Sequence, residues 1–337
     1  MQQQHASNSW LMANDKLPLD ALPTVSVIVT VYKRTGFLSE ALRSALGQTF
    51  RSFEVIVTDD SNSDAIKAIC DSFNNLQIRY RTNPQALGVA LNLRIAISEA
   101  RGKYIAILND DDVWESEFLE MLVPPLQQDS NIVLGFCDHW LIAEDGRKDM
   151  RSSDINSAWY GRSKLAEGKV NKLEDLVLEK NGVPMAMAAI FRKDAIDLGL
   201  LVPDVAGAYD FWLSCLLAAS GKSAYYISKR LTRYRVHGQM ETGRRAPDKN
   251  KNMIVIYEKL IERNLFPTKL PFLYKKYSQC YYQVGKDLLW FSQPKLARSY
   301  FILSFSSVLS YKALVGIALT YLPREFRRVL KVTALSP

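Results

Sequence analysis

Two hydrophobic periods alternate between Val25 and Cys137, and that alternation leaves few folds open. Val25-Ser26-Val27-Ile28-Val29-Thr30-Val31 is a β-branched run of strand type. Residues 36–47 then carry Phe37, Leu38, Ala41, Leu42, Ala45 and Leu46 at helical spacing. Residues 53–58, 77–81, 103–108 and 131–137 read as further strands, and residues 64–73, 88–100 and 115–127 as further helices. Strands alternating with helices of this length specify βαβ units and a mostly parallel sheet.

Ligands of such sheets bind beyond the carboxyl ends of the strands, and the polar clusters of this chain fall there. Thr30-Val31-Tyr32 follows the first strand, Asp59-Asp60-Ser61 the second, and Asp110-Asp111-Asp112 the fourth. Three adjacent carboxylates at a strand exit repel one another, a cost that a hard divalent cation removes. The plainer reading is an acidic loop in which Asp112 caps the next helix. No glycine-rich phosphate loop follows the first strand, which argues against a Rossmann dehydrogenase or a P-loop NTPase.

Beyond the repeat, residues 151–180 are polar and weakly periodic, an excursion over the ligand edge. Residues 185–191 read as a strand, 209–219 as a helix rich in large apolar side chains, and 223–227 and 231–236 as two short strands. After Lys249 the pattern is wholly helical, over 253–263, 273–291, 294–309 and 314–321. The expected organisation is a lead-in over 1–23, an α/β domain over 24–245 and a helical extension over 246–337.

Charge supports that division. Residues 246–337 hold fifteen Lys and Arg against five Asp and Glu, so of the net +8 the first 245 residues carry about −2. A basic extension on a near-neutral body points to an anionic partner. Its apolar faces (Leu296, Phe301, Ile302 and Phe305, then Leu314, Ile317, Ala318 and Tyr321), together with Arg324, Arg327, Arg328 and Lys331, suit either an anionic membrane surface or a helical cap with a solvated basic face. Because positive charge avoids the ligand edge, nucleic acid is disfavoured. Cys70, Cys137, Cys215 and Cys280 lie far apart in apolar sequence, as buried thiols of a reducing compartment do. Residues 1–20 lack the pattern of a secretory leader, and the longest apolar stretch, Ala313–Leu322, is too short to cross a bilayer. The expected location is cytoplasmic, with peripheral attachment to the inner face of the plasma membrane.

The order of motifs resembles the family-2 glycosyltransferases with a GT-A fold. The resemblance is carried by Thr30-Val31-Tyr32, Val57-Thr58-Asp59-Asp60-Ser61, Ala100-Arg101-Gly102-Lys103-Tyr104-Ile105 and Asn109-Asp110-Asp111-Asp112-Val113-Trp114. Asp210-Phe211-Trp212 and Tyr234-Arg235-Val236-His237 complete it, over roughly residues 24–240. The resemblance implies an inverting, metal-dependent transfer from a nucleotide-diphosphate sugar to a hydroxyl, with a saccharide or lipid-linked saccharide as acceptor in surface or extracellular polysaccharide assembly. It implies Mn²⁺ or Mg²⁺ at Asp111, with His237 either a further ligand or a loop histidine bonded to backbone. Asp110 would face the ribose. Asp60 would accept a hydrogen bond from the base, while Tyr32 stacks on it and Thr30 lines the pocket.

Two departures from the family pattern stand out. Gly207-Ala208 occupies the place of the usual Glu-Asp pair, leaving Asp210 as the favoured general base, with Asp204 the other carboxylate nearby. Asp210 reads equally as a helix N-cap. Arg94 stands where an Asn is commoner, and either helps to hold phosphate or is a solvated helix residue. Two rival readings remain: a catalytically inactive scaffold that binds nucleotide-sugar or glycan, and a nucleotidyltransferase, of which Lys33-Arg34 is only a faint echo.

Overall fold

The computed structural model describes residues 22–238 and 246–323. Its strands are β1 (Val25–Val31), β2 (Phe53–Asp59), β3 (Ile78–Thr82), β4 (Tyr104–Asn109), β5 (Val113–Trp114), β6 (Ile132–Ile142), β7 (Lys148–Asp149), β8 (Gly168–Val170), β9 (Ala189–Arg192) and β10 (Ser223–Arg235). They form one sheet in the order β3-β2-β1-β4-β9-β6-β10-β5, with β7 on β6 and β8 on β10. The long pairings are parallel; antiparallel pairing is confined to the short strands β5, β7, β8 and β9.

The helices of the sheet domain are α1 (Leu38–Leu46), α2 (Asp64–Ser72), α3 (Val89–Glu99), α4 (Phe118–Gln128), α5 (Met150–Trp159), α6 (Leu173–Lys180), α7 (Met185–Ala188) and α8 (Tyr209–Ala219). Strand residues that alternate in sequence go to opposite faces. Val25, Val27 and Val29 pack with α1 and α4, while Ile28, Ile56 and Ile107 pack with α3 and α8. Both faces are thus covered, which is why the central strands are apolar on both sides.

Register aligns the strand exits. Val31 pairs with Asp59, and Thr30 with both Thr58 and Asn109. Tyr32, Asp60 and Asp110 therefore leave the sheet side by side. At the opposite edge, the backbone N–H groups of Arg101 and Gly102 donate to Glu54 and Ser26 at 2.8 Å. A Cβ on Gly102 would lie 2.5 Å from the Ser26 nitrogen, so the Ala-Arg-Gly segment is a device for entering β4.

Several elements differ from the sequence expectation. Val113-Trp114, expected to lead into a helix, pairs antiparallel with Thr232 and Arg233 of β10. Residues 185–191 split into the turn α7 and the strand β9, because the Met187 carbonyl accepts a hydrogen bond from the Trp114 indole at 2.7 Å. The two short strands expected over 223–236 are one strand with irregularities between Ile227 and Thr232. The polar excursion contains two helices, α5 and α6, anchored by Ser153 and by a buried Arg162–Asp138 pair at 2.8 Å.

Helices α9 (Ala246–Glu262), α10 (Leu270–Trp290), α11 (Pro294–Ser307) and α12 (Tyr311–Leu319) follow. Ile256, Tyr257, Leu260, Phe266 and Leu273 join the apolar cluster of the sheet, whereas Leu289, Ala297, Phe301 and Leu319 form a small cluster of their own. Phe301 faces inward at its hub; Leu296, Ile302, Leu314 and Tyr321 are exposed. No described helix is long and apolar enough to cross a membrane. Arg324, Arg327, Arg328 and Lys331, with most of the expected lead-in, lie outside the described residues.

Candidate active site

The acidic loop hangs between β4 and β5, and β10 ties down its far side. The loop's three carboxylates have separate fates. Asp112 turns inward, accepting from the Arg235 backbone N–H at 3.0 Å and from the Asn109 amide at 2.9 Å. Burial, reinforced by the neighbouring Asp111 charge, pushes its carboxyl well above the usual carboxylate range. Asp110 and Asp111 instead face the Arg34 guanidinium. Arg34 grips Asp110 through Nε and Nη2, and its Nη1 lies 2.8 Å from Asp111 Oδ2. Burial raises Asp110 to about 6 against the opposing pull of Arg34.

His237 joins the same point, its Nε2 lying 3.1 Å from Asp111 Oδ2. It arrives there because β10 continues alongside β6, where the Val236 N–H donates to the Ile142 carbonyl at 2.8 Å. Asp111 thus meets an imidazole on one side and, together with Asp110, a guanidinium on the other. Among the described residues no group of three or more His, Cys, Asp or Glu is placed to hold a metal ion. Carboxylate and imidazole are donors that a divalent ion accepts, so Asp111 and His237 would supply two ligands and leave the others to substrate oxygens and water.

Arg235, which the sequence offered only as one letter of a motif, organises this loop. Its side chain is 1% exposed. Nε donates to the Asp111 carbonyl and Nη1 to the Glu144 carbonyl, each at 2.9 Å, and Nη2 meets Glu40 at 2.6 Å. The guanidinium also covers the Phe37 ring at 4.5 Å. The signal available in the sequence was an Arg two residues before His237, but nothing local marks it as buried.

On the other side, Tyr32 is half exposed beyond β1, with the Lys33 ammonium 4.9 Å from its ring centre. Thr30 is part-buried within β1. Asp60 is buried. Its Oδ1 accepts from the Asn83 amide and the Leu87 N–H, and its Oδ2 from the Gly88 N–H, all at 2.8 Å. Asp60 thus holds the loop that starts α3. Asp59 organises its own turn by accepting from Ser61, Ser63 and Tyr80. Arg94 is half-buried on α3 and makes no hydrogen bond or ion pair among the described residues. The buried polar residue of that helix is Asn92, bonded to Thr58, Arg81 and Asn83.

The first turn of α8 abuts the acidic loop, with the Tyr209 hydroxyl 3.4 Å from Asn109 Oδ1. Asp210 is the next residue, part-buried, and its Oδ1 accepts the Phe211 N–H at 2.7 Å. Asp204 is exposed and turned towards Lys259 of α9, 3.6 Å away. The segment Pro203–Ala208 between them bends at Ala206, whose φ of 42° is a conformation L side chains rarely adopt.

A cavity of about 670 Å³ runs along β6 and β10 beside β5. Trp140, Asp138, Arg230 and Glu115 line it, together with four serines. Neither the three aspartates of the acidic loop nor His237 or Asp210 lines it.

A sequence model described as Glycosyl transferase family 2 matches residues 26–198, more than half of the chain, from the second residue of β1 through the acidic loop and β9. The chain belongs to glycosyl transferase family 2. Among its relatives in the family is the GalNAc(5)-diNAcBac-PP-undecaprenol beta-1,3-glucosyltransferase of Campylobacter jejuni subsp. jejuni, 24% identical over 320 residues, 90% of this chain and 95% of that one. In other curated glycosyltransferases the matched segments amount to 38%, 20% and 66% of their length. Two solved structures share the fold. S. aureus TarS 1-349 in complex with UDP-GlcNAc has a TM-score of 0.62 at 15% identity, over 92% of this chain and 89% of that one. Mannosyltransferase PcManGT from Pyrobaculum calidifontis, in complex with GDP-Man and Mn²⁺, has a TM-score of 0.54 at 16% identity, over 94% and 85%. This family-2 glycosyltransferase has a GT-A fold: a mostly parallel α/β sheet followed by C-terminal helices.

Proposed function

We propose that this protein is an inverting, divalent-cation-dependent glycosyltransferase that moves a sugar from a nucleotide diphosphate to a lipid-linked saccharide in surface polysaccharide assembly. The observation that carries it is the meeting of Asp110, Asp111, His237 and the first turn of α8 at the edge where Tyr32 and Asp60 leave the sheet. The nucleotide-sugars bound to TarS and PcManGT, the Mn²⁺ of the latter, and the undecaprenol-linked substrate in the name of the Campylobacter relative support the donor, ion and acceptor classes.

In this reading Thr30 and Tyr32 receive the base, and the remaining lone pair of Asp60 Oδ2 accepts its N–H. Asp110 takes the ribose, and Arg94 lies on the donor side. Asp111 and His237 would hold Mn²⁺ or Mg²⁺, which when bound would supply positive charge beside the diphosphate. The acceptor oxygen attacks the anomeric carbon from the face opposite the diphosphate, the bond from that carbon to the diphosphate oxygen breaks, and Asp210 takes the acceptor's proton. Trp140 and the serines of the cavity along β6 and β10 offer an aromatic face and hydroxyls to a saccharide.

The exposed Trp290, Phe291, Leu296, Ile302, Leu309 and Tyr311 lie in residues 288–323, which hold three basic residues and no acidic one. That combination supports peripheral binding to an anionic membrane by an extension beginning near residue 246. A second reading, an inactive scaffold that binds nucleotide-sugar, is favoured by Gly207-Ala208 in place of an acidic pair.

Titration calorimetry with UDP and GDP, with Mn²⁺ and with chelator, tests the donor site. Asp111→Ala should abolish the gain from metal while leaving the protein folded. Asp210→Asn should retain nucleotide binding and lose about 10²–10⁴ in transfer rate. Equal nucleotide affinity with metal and with chelator would remove the metal from the mechanism. Tight nucleotide binding without transfer to any lipid-linked saccharide would favour the scaffold.

A further inference from the structure

We propose that Arg34 is a built-in counter-cation of the acidic loop, which a divalent ion displaces and which then moves to the donor's diphosphate. The proposal rests on the donor-binding reading above and adds to it a residue that the motifs did not mark.

The geometry is specific. Asp112 is turned inward, so the loop presents two carboxylates, and one guanidinium spans both of them. The contact Arg34 makes with Asp111 uses Oδ2, the same oxygen that approaches His237 Nε2. A metal ion ligated by that oxygen and that imidazole would lie against the guanidinium. Two cations at that separation repel strongly in a partly desolvated site, so the ion and Arg34 exclude each other.

Without a cation the loop would hold uncompensated buried charge. Arg34 supplies the compensation. A guanidinium keeps its charge in such a setting, so the side chain stays cationic throughout.

Arg34 is also built to leave. Its side chain is 30% exposed, on a loop that enters through Lys33 at φ 62°, and the Lys33 N–H donates to Ser61 at 3.0 Å. That anchor fixes the base of the loop and leaves the long stem to swing. An arginine released beside a diphosphate finds a better partner there, because phosphate oxygens accept its forked N–H groups in pairs. The exchange keeps charge balanced in both states: Arg34 neutralises carboxylates before the donor arrives and phosphates afterwards.

The test measures Mn²⁺ binding by electron paramagnetic resonance, without nucleotide, for the parent, Arg34→Ala, Arg34→Gln and Arg34→Lys. UDP binding with Mn²⁺ present is measured for the same four, and thermal melting verifies folding. Both neutral variants should bind Mn²⁺ about tenfold more tightly than the parent and UDP about tenfold more weakly, with Arg34→Lys in between. Two neutral variants of different shape guard against a folding defect in either one. Mn²⁺ affinity unchanged or lowered in both of them overturns the proposal, and so does the absence of Mn²⁺ binding in all four proteins. UDP binding by the parent in that last case would leave the nucleotide-sugar reading standing while removing the displacement.

Discussion

Replacing Arg235 by Met tests whether the acidic loop is held by a single side chain. Met keeps much of the aliphatic stem over Phe37 but removes every N–H of the guanidinium. The losses follow from its contacts. The carbonyls of Asp111 and Glu144 each lose a charged donor at 2.9 Å; Glu144 is exposed and water replaces the donor there, whereas the Asp111 bond is buried, and an unsatisfied buried acceptor costs about 1–3 kcal/mol. The Glu40 contact at 2.6 Å contributes little to this figure, because the Glu40 side chain is 46% exposed and water replaces the guanidinium there. The hydrogen bond from the Arg235 backbone N–H to Asp112 survives the substitution. The expected loss is about 1–3 kcal/mol, a fall in melting temperature of roughly 2–12 °C. Nucleotide affinity should fall as well, since the Asp111 carbonyl is the point at which the loop is tied to β10. Urea unfolding gives the first quantity and calorimetry with UDP and Mn²⁺ the second. Arg235→Lys, which restores one donor, should recover part of both. A melting temperature within 1 °C of the parent, with UDP affinity unchanged, would refute the reasoning and shift the burden of holding the loop to β5.

Two further perturbations address other parts of the molecule. Asp60→Asn keeps one acceptor oxygen and turns the other into an NH₂ donor, so the Asn83 amide and the Leu87 and Gly88 N–H groups can no longer all be accepted; both stability and nucleotide affinity should fall, the latter by about 1.5–3 kcal/mol. Unchanged calorimetric affinity would leave Asp60 with the loop before α3 alone. His139 is buried, and burial first, then the nearby Arg162 and Arg230 charges, lowers its pKa to about 3 despite Asp138. The unfolded chain takes up a proton near pH 6.5 and the folded one does not, so stability is lost as pH falls from 6.5 towards 3. His139→Gln should lessen that acid loss by about 1.4 kcal/mol per pH unit across this window, and identical pH profiles for the two proteins would show that His139 does not titrate in this way.

What the sequence made legible was whatever repeats or clusters locally. β1 and α8 begin and end where their periodicity does, because each is apolar over most of its length. The meeting of the Tyr32, Asp60 and Asp110 segments followed from strand alternation alone, since parallel register carries strand exits to one edge. What stayed hidden depends on partners distant in the chain. Val113-Trp114 is a strand only because β10 offers Thr232 and Arg233. Residues 185–191 bend where the Trp114 indole claims the Met187 carbonyl. Arg34 resembles any loop arginine until the fold brings it against Asp110 and Asp111, 76 and 77 positions further on.

The same contrast bears on the general base. Two carboxylates flank the place where the family pattern has an acidic pair, and sequence spacing cannot choose between them. Packing does. Lys259 arrives from α9, a helix whose apolar face belongs to the main core, and draws Asp204 outward. Asp210 stands instead on the first turn of α8, one residue from the Tyr209 ring that touches Asn109. The strained turn at Ala206 lies between the two, where the chain passes from the α9 side to the acidic loop. In the proposed transfer Asp210 is therefore the carboxylate beside the acidic loop and Asp204 the one turned away from it, with Gly207 and Ala208 standing where the family pattern has its acidic pair.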